Sequence, residues 1–177
     1  MNVAVVGIGR IGLPVATGIA ARGHSVVGCD IDERRVAMVN KGENPIPDEA
    51  GLGELLAEVV RAGNLRATTG TAAAVAEAST VLFAVAVDVD RAGHADLTSL
   101  LAACDAVASG MQAGTLCIFD TTLPVGTTRS VLARRLEQRG MIEGQDFEVA
   151  FSPERLLMGR VIEDLTKYPK VVGGLTQ

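Results

Sequence analysis

Aromatic side chains are almost missing: four Phe, one Tyr and no Trp, 3% of 177 residues. Without large rings the core must be filled by Val, Ala, Leu and Ile, which suits a parallel sheet covered by helices on both faces. Cysteine is scarce as well. Cys29, Cys104 and Cys117 are odd in number, widely spaced and form no C-x-x-C pair. That argues against a disulfide framework and predicts buried, reduced thiols in a cytoplasmic protein. Histidine is limited to His24 and His94, and neither has a second metal ligand by spacing. No metal cluster, Walker lysine or Gly-x-Ser-x-Gly elbow is present. Basic residues are not in excess, 16 against 21 acidic, for a formal charge of -5. With no basic stripe carrying interleaved aromatics, nucleic acid is excluded as a partner. A membrane is excluded too. The apolar run "VAVVGIGRIGLPVATGIA" has no basic segment ahead of it, contains Arg10, and is broken by Gly7, Gly9, Gly12 and Pro14. It reads as strand, turn and helix, not as a signal peptide or a spanning helix.

Hydrophobic residues, by contrast, make up 48% of the chain. A single domain of this length buries roughly two-thirds of its unfolded surface and needs no staples. Short apolar runs alternate with helical stretches. The pattern predicts strands at Val3–Val6, Ser25–Asp30, Leu65–Thr68, Val81–Val87, Thr115–Asp120, Glu148–Phe151 and Lys170–Val172. It predicts helices at Ile11–Arg22, Glu33–Lys41, Leu52–Ala62, Ala72–Glu77, Asp96–Met111, Thr128–Arg139 and near Leu156–Leu165. Repeated strand-then-helix with no hairpin signal means a parallel α/β sheet, and right-handed crossovers limit it to a doubly wound, Rossmann-type fold. Gly23, Gly42, Gly63 and Gly140 each follow a helical run, where a left-handed residue closes a helix. The connector "GENPIPDEAG" places Asp48 and Glu49 near the start of the next helix, where negative charge is favoured. No linker divides the chain.

The strongest local signal is Gly7-x-Gly9-x-x-Gly12 between the first strand and the first helix. The motif alone is weak, and the strand-turn-helix context strengthens it. Gly7 permits the tight turn, Gly9 lets a pyrophosphate approach the backbone, and Gly12 lets helix lie on strand. Free N–H groups at that helix start favour an anion. Pro14 falls in the first helical turn, where its missing N–H costs little. Asp30, 18 residues after Gly12, closes the second strand. A carboxylate there accepts adenosine ribose hydroxyls and repels a 2′-phosphate, so NAD is expected over NADP. Arg34 and Arg35 pull the other way, because a guanidinium can hold a phosphate.

Ligands of open parallel sheets lie across the carboxyl ends of the strands. "FDTTLPVGTTR" puts Thr121 and Thr122 at one such end, with Thr127 or Thr128 capping the following helix. The Thr122 hydroxyl reaches a nicotinamide ribose or a water, or simply begins a polar loop. "FSPER" puts Glu154 at the next end, either to hold a catalytic water or accept a proton, or as a helix-start acid or a partner of Arg155 or Arg160. Asp88 and Asp90 are turn candidates, and His94 in the same loop reads as solvated.

Taken in order, "GIGRIGLP", "DIDERRVAMVNKGENPIPDEAGL", "AGHADLTSLLAAC", "TTLPVGTTR", "SPERLLMGR" and "VVGG" resemble the N-terminal NAD-binding domain of the UDP-glucose/GDP-mannose 6-dehydrogenase family, over essentially the whole chain. "PERLLMGRVIEDL" is most similar to the branch acting on UDP-N-acetyl-hexosamines. The resemblance implies NAD as cofactor, contacted by Gly7, Gly9, Arg10, Ile11, Gly12, Asp30, Arg35, Val85 and Thr122, and catalytic contributions from Thr122 and Glu154. It implies oxidation of a nucleotide-sugar C6 alcohol to the carboxylate, in two hydride steps using two NAD, through an aldehyde-level adduct on a cysteine. It also implies that the helical and sugar-binding domains carrying that cysteine, a lysine and an asparagine lie outside these residues. The 1–177 chain is then one NAD-binding domain, incomplete for catalysis, and its uncovered apolar surface favours a homo-oligomer. The other reading is a stand-alone NAD-binding or interaction module. Two departures stand out. The family's Pro-Thr-Pro at the fourth strand tip is Ala86-Val87-Asp88 here, which removes a hydrogen bond worth about 0.5–1.5 kcal/mol. The second acid, four residues after the "SPE" glutamate, is Met158.

Overall fold

The computed structural model describes residues 1–176. Nine strands appear among them: β1 (Asn2–Val6), β2 (Ser25–Cys29), β3 (Leu65–Thr68), β4 (Thr80–Phe83), β5 (Asp88–Val89), β6 (Ala95–Asp96), β7 (Thr115–Phe119), β8 (Phe147–Phe151) and β9 (Gly173–Gly174). Seven form one sheet in the order β3-β2-β1-β4-β7-β8-β9. The first six are parallel, and β9 runs antiparallel to β8. The helices are α1 (Gly12–Ala20), α2 (Glu33–Asn40), α3 (Leu52–Arg61), α4 (Thr71–Ala76), α5 (Thr98–Gly110), α6 (Ala133–Leu136) and α7 (Val161–Asp164). Strand order runs outward from β1 in one direction and from β4 in the other. The point of reversal, between the carboxyl ends of β1 and β4, is where a doubly wound sheet binds its ligand.

The sheet is buried on both faces, so its central strands are mostly apolar, and alternate residues feed different cores. Val3 and Val5 of β1 join Leu13, Leu52, Leu56 and Val161 on one side. Ala4 and Val6 join Val75, Leu100 and Val107 on the other. Two of the few aromatic rings, Phe83 and Phe119, stack at 4.4 Å across the β4–β7 pair. Asp32 caps α2 by accepting from the N–H groups of Arg34 and Arg35, at 3.0 and 3.1 Å. The helix-closing glycines Gly23, Gly42 and Gly63 have the positive φ expected of them.

Several expected elements come out differently. The fourth strand stops at Phe83 instead of Val87, because both its neighbours end there: β1 turns at Gly7 and Phe83 pairs with the last residue of β7. The following loop folds into an antiparallel hairpin, β5–β6, that sequence reading missed. Asp90 closes it with local bonds, accepting from Ala92 N and His94 N, both at 2.8 Å. The long helix expected at Thr128–Arg139 is a π-helical turn (Thr128–Leu132), then α6, then a 3-10 turn. Neither Thr127 nor Thr128 caps it with a side chain. The helix expected near Leu156–Leu165 is reduced to α7. No strand forms at Lys170–Val172. That segment is pulled across the tips of β7 and β8 by side-chain bonds, and only Gly173–Gly174 pairs with β8.

Glu49 is a further correction. It is buried and does not serve α3, the helix that follows it. Its carboxylate accepts from Gly159 N at 2.7 Å and Ile162 N at 3.2 Å, at the start of α7, 110 and 113 residues away. No helix among the described residues is long and apolar enough to cross a membrane.

Candidate active-site crevice

The β1–α1 turn is shaped as its glycines require. Gly7 has φ +87, and its own N–H donates to Cys29 O at 2.8 Å. A Cβ on Gly7 would sit 2.9 Å from Ala84 O, and one on Gly12 would sit 1.8 Å from Gly7 O. Both glycines therefore let the turn close on itself and on the residues just past β4. Gly9 is different: a Cβ there would meet nothing within 4 Å. Its bare backbone faces open space. Among the described residues, the N–H groups of Gly9, Arg10, Ile11 and Gly12 meet no acceptor. Four unsatisfied donors at a helix start, with the helix dipole behind them, make an anion cradle. The Arg10 guanidinium stands outside it, paired with Asp48.

Asp30 sits at the tip of β2, adjacent to this cradle. Its Oδ2 accepts from Ile8 N at 3.1 Å and from the Arg35 guanidinium at 2.9 Å, and its Oδ1 accepts from Asp32 N at 3.0 Å. The side chain is only 7% exposed. A carboxylate has about four acceptor positions, so about one remains for a ligand hydroxyl. Arg35 is committed to Asp30 and Asp32 and is not free to wait for a phosphate.

Across the switch point, Val85 and Thr121 tie the tip of β4 to the tip of β7. The Thr121 hydroxyl donates to Val85 O at 2.6 Å. Thr122, one residue on, is exposed, and its hydroxyl makes no bond among the described residues. Of the two adjacent threonines, one is structural and the other is presented. Val87 turns inward and packs against the core.

Glu154 lies beside this tip, its N–H donating to Asp120 O at 2.8 Å. Its Oε1 accepts from Arg155 N at 2.6 Å and Leu156 N at 3.0 Å. Its Oε2 accepts from Lys170 Nζ at 2.7 Å. The expected arginine partners are occupied elsewhere: the Arg155 guanidinium donates to Pro169 O, and Arg160 pairs with Glu163 and Asp164. Desolvation pushes the Glu154 carboxyl upward, but the Lys170 hydrogen bond, the Arg155 N–H and the Asp120 carboxyl together outweigh it and hold the group below the ordinary glutamate range.

Asp120 and Lys170 are the residues that sequence reading missed. Asp120 is 1% exposed, accepts from Lys170 Nζ at 2.5 Å through Oδ1, and its Oδ2 is buried with no hydrogen-bond partner among the described residues. Burial pushes its carboxyl up to about 6, against the pull of Lys170. The available signal was an acid ending an otherwise apolar strand, "TLCIFD". Nothing local announced its partner 50 residues later.

A bare-amide turn at the switch point of a parallel sheet, with an acid at the next strand tip, defines a dinucleotide-binding domain. Residues 1–177 match the NAD binding domain of the UDP-glucose/GDP-mannose dehydrogenase family. The chain belongs to that family, and NAD is its cofactor. It is 34% identical over 182 residues to UDP-N-acetyl-D-mannosamine dehydrogenase of Salmonella typhimurium, covering 99% of this chain and 42% of the relative. The structure of UDP-D-ManNAc dehydrogenase from Pyrococcus horikoshii superposes with a TM-score of 0.93 at 35% identity, over 100% of this chain and 42% of that one. GDP-mannose dehydrogenase from Pseudomonas aeruginosa, solved as a ternary complex, gives 0.91 at 27% identity, over 99% and 41%. The chain thus spans less than half the length of these relatives.

Proposed function

We propose that this chain is the NAD-binding part of a nucleotide-sugar 6-dehydrogenase, one that oxidises the C6 alcohol of a UDP- or GDP-sugar to the carboxylate. The observation that carries the reading is the row of unsatisfied amides at Gly9–Gly12. In this reading, those amides hold the pyrophosphate, with Gly7 shaping the turn and Arg10 and Ile11 flanking the phosphates. Asp30, held by Arg35, takes a ribose hydroxyl. Val85 and Thr122 line the nicotinamide end. Bound NAD supplies the hydride acceptor. Glu154, kept ionised by Lys170 and two backbone N–H groups, accepts a proton or holds a water beside the reacting carbon. The similarity to N-acetyl-mannosamine enzymes supports an amino-sugar substrate.

These residues do not complete the reaction by themselves. Cys29, Cys104 and Cys117 are all buried, and desolvation pushes their thiols up to about 11, 12 and 12. A nucleophile needs a thiolate and access, so the cysteine for an aldehyde-level adduct belongs to a different part of the enzyme. A second reading, a non-catalytic NAD-binding module, draws on Val87, which packs into the core where the family's threonine offers a hydroxyl.

Calorimetric titration with NAD and NADP tests the first reading at its root. NAD should bind, and NADP should bind at least about tenfold more weakly, a difference of ~1.4 kcal/mol. Absence of NAD binding would overturn both readings. Sustained NADH production from UDP-N-acetyl-D-mannosamine by the chain alone would overturn the incompleteness.

A further inference from the structure

Lys170 belongs to no regular element. It lies between α7 and β9, in the segment that crosses the carboxyl tips of β7 and β8. The Arg155 guanidinium fixes that crossing through Pro169 O. Lys170 Nζ then contacts a carboxylate from each strand tip, Asp120 at 2.5 Å and Glu154 at 2.7 Å. Glu154 and Lys170 line a small crevice together with Leu156, Leu165, Tyr168 and Pro169.

Two carboxylates this close do not both ionise without a cation; they share a proton. Asp120 is the more enclosed, with one oxygen unpartnered among the described residues and its side chain 1% exposed. Glu154 keeps 11% exposure and about one open acceptor position, on the oxygen that Lys170 touches. Among the described residues no other charged side chain pairs with the two carboxylates, and Arg155 and Arg160 are held elsewhere. Lys170 therefore decides both the protonation of the pair and the direction of the open lone pair on Glu154.

We propose that Lys170 is a positioning residue: by bridging the buried Asp120 to Glu154 across the tips of β7 and β8, it keeps Glu154 ionised and aims its one open acceptor position into the crevice. The use of that carboxylate on a sugar hydroxyl or a water rests on the function proposed above; the bridge itself does not.

The test is a carbon-13 carboxyl NMR titration of the intact chain, with NAD affinity measured on the same samples. In the unsubstituted protein, Glu154 should titrate below the ordinary glutamate range. In Lys170→Met, the Glu154 and Asp120 midpoints should both move up, by about 1–3 pH units, the size of effect expected from removing an adjacent opposite charge. Lys170→Arg should restore them, and NAD affinity should stay within about twofold throughout, because the amide cradle lies at another strand tip. A merely structural tie would lower the melting temperature of Lys170→Met and leave the midpoints in place, and that result overturns the proposal. Should Lys170→Met fail to fold, Lys170→Gln keeps the stem without the charge. The unsubstituted protein decides by itself as well, because a Glu154 midpoint at or above the ordinary range is equally fatal. Loss of NAD binding in the unsubstituted protein, with the midpoints as expected, would instead sink the dehydrogenase reading and leave the bridge standing.

Discussion

A methyl group on Gly9 meets no protein atom, whereas one on Gly12 collides with Gly7 O at 1.8 Å. The two positions therefore separate folding from binding. Gly9→Ala should melt within a degree or two of the parent and yet bind NAD at least about tenfold more weakly, because in the proposed binding mode the added Cβ enters the space of the diphosphate; calorimetry and a thermal melt check both halves. Gly12→Ala should lose stability as well as binding. Asp120 gives a prediction of sign. Its folded value, about 6, lies above the ordinary 3.8. Between those values the folded chain keeps a proton that the unfolded chain has released. The group's contribution to stability is then full below about 3.8 and lost as pH rises through about 6. Asp120→Asn removes that loss. Relative to the parent it should gain stability from pH 4 to pH 7, on the order of 2 kcal/mol, read from urea midpoints at the two ends. Lys170 and Glu154 face this carboxyl, and the Lys170–Glu154 contact remains in the variant.

Elements are held in place here by side chains from distant parts of the sequence. The segment from Gly159 to Ile162 rests on the buried carboxylate of Glu49, which satisfies two N–H groups at the start of a four-residue helix. Such a helix has no independent stability, so its anchor comes from outside. Glu49→Gln replaces one acceptor oxygen with an amide that opposes an N–H donor. The expected cost is about 1–3 kcal/mol, with hydrogen exchange at Gly159 and Ile162 accelerating before that of the sheet. Uniform exchange across the chain would refute the latch. The hairpin β5–β6 and the short β4 belong to this scale too. A strand of apolar residues continues only while its neighbours do, and the pattern "VLFAVAV" holds no record of where β1 and β7 turn away.

For the whole molecule, two faces of one sheet carry the stability, and all three cysteines lie inside the core on one of them. A thiol reagent at pH 7.5 should modify none in the native chain and three after denaturation; a rapidly modified thiol in the native chain would contradict the assignment of an external nucleophile. Leu157, Met158, Tyr168, Val171 and Val172 remain exposed at one end of the sheet. Association beyond a monomer is expected from that surface, and light scattering at rising concentration checks it. The sequence by itself determined the α/β alternation, the glycine turn between β1 and α1, and the places of Asp30, Thr122 and Glu154 just past the ends of apolar strands. Those signals are local: glycines at fixed offsets and polar residues ending apolar runs, each readable within a dozen positions. Tertiary structure alone decided that Thr121 is tied to Val85 while Thr122 is presented, that Glu49 caps a helix 110 residues away, and that Lys170 binds Asp120 and Glu154. In each of these cases the partners meet only because the fold brings distant segments together, at the strand tips for Thr121 and Lys170 and beside α7 for Glu49, and sequence spacing carries no trace of that adjacency.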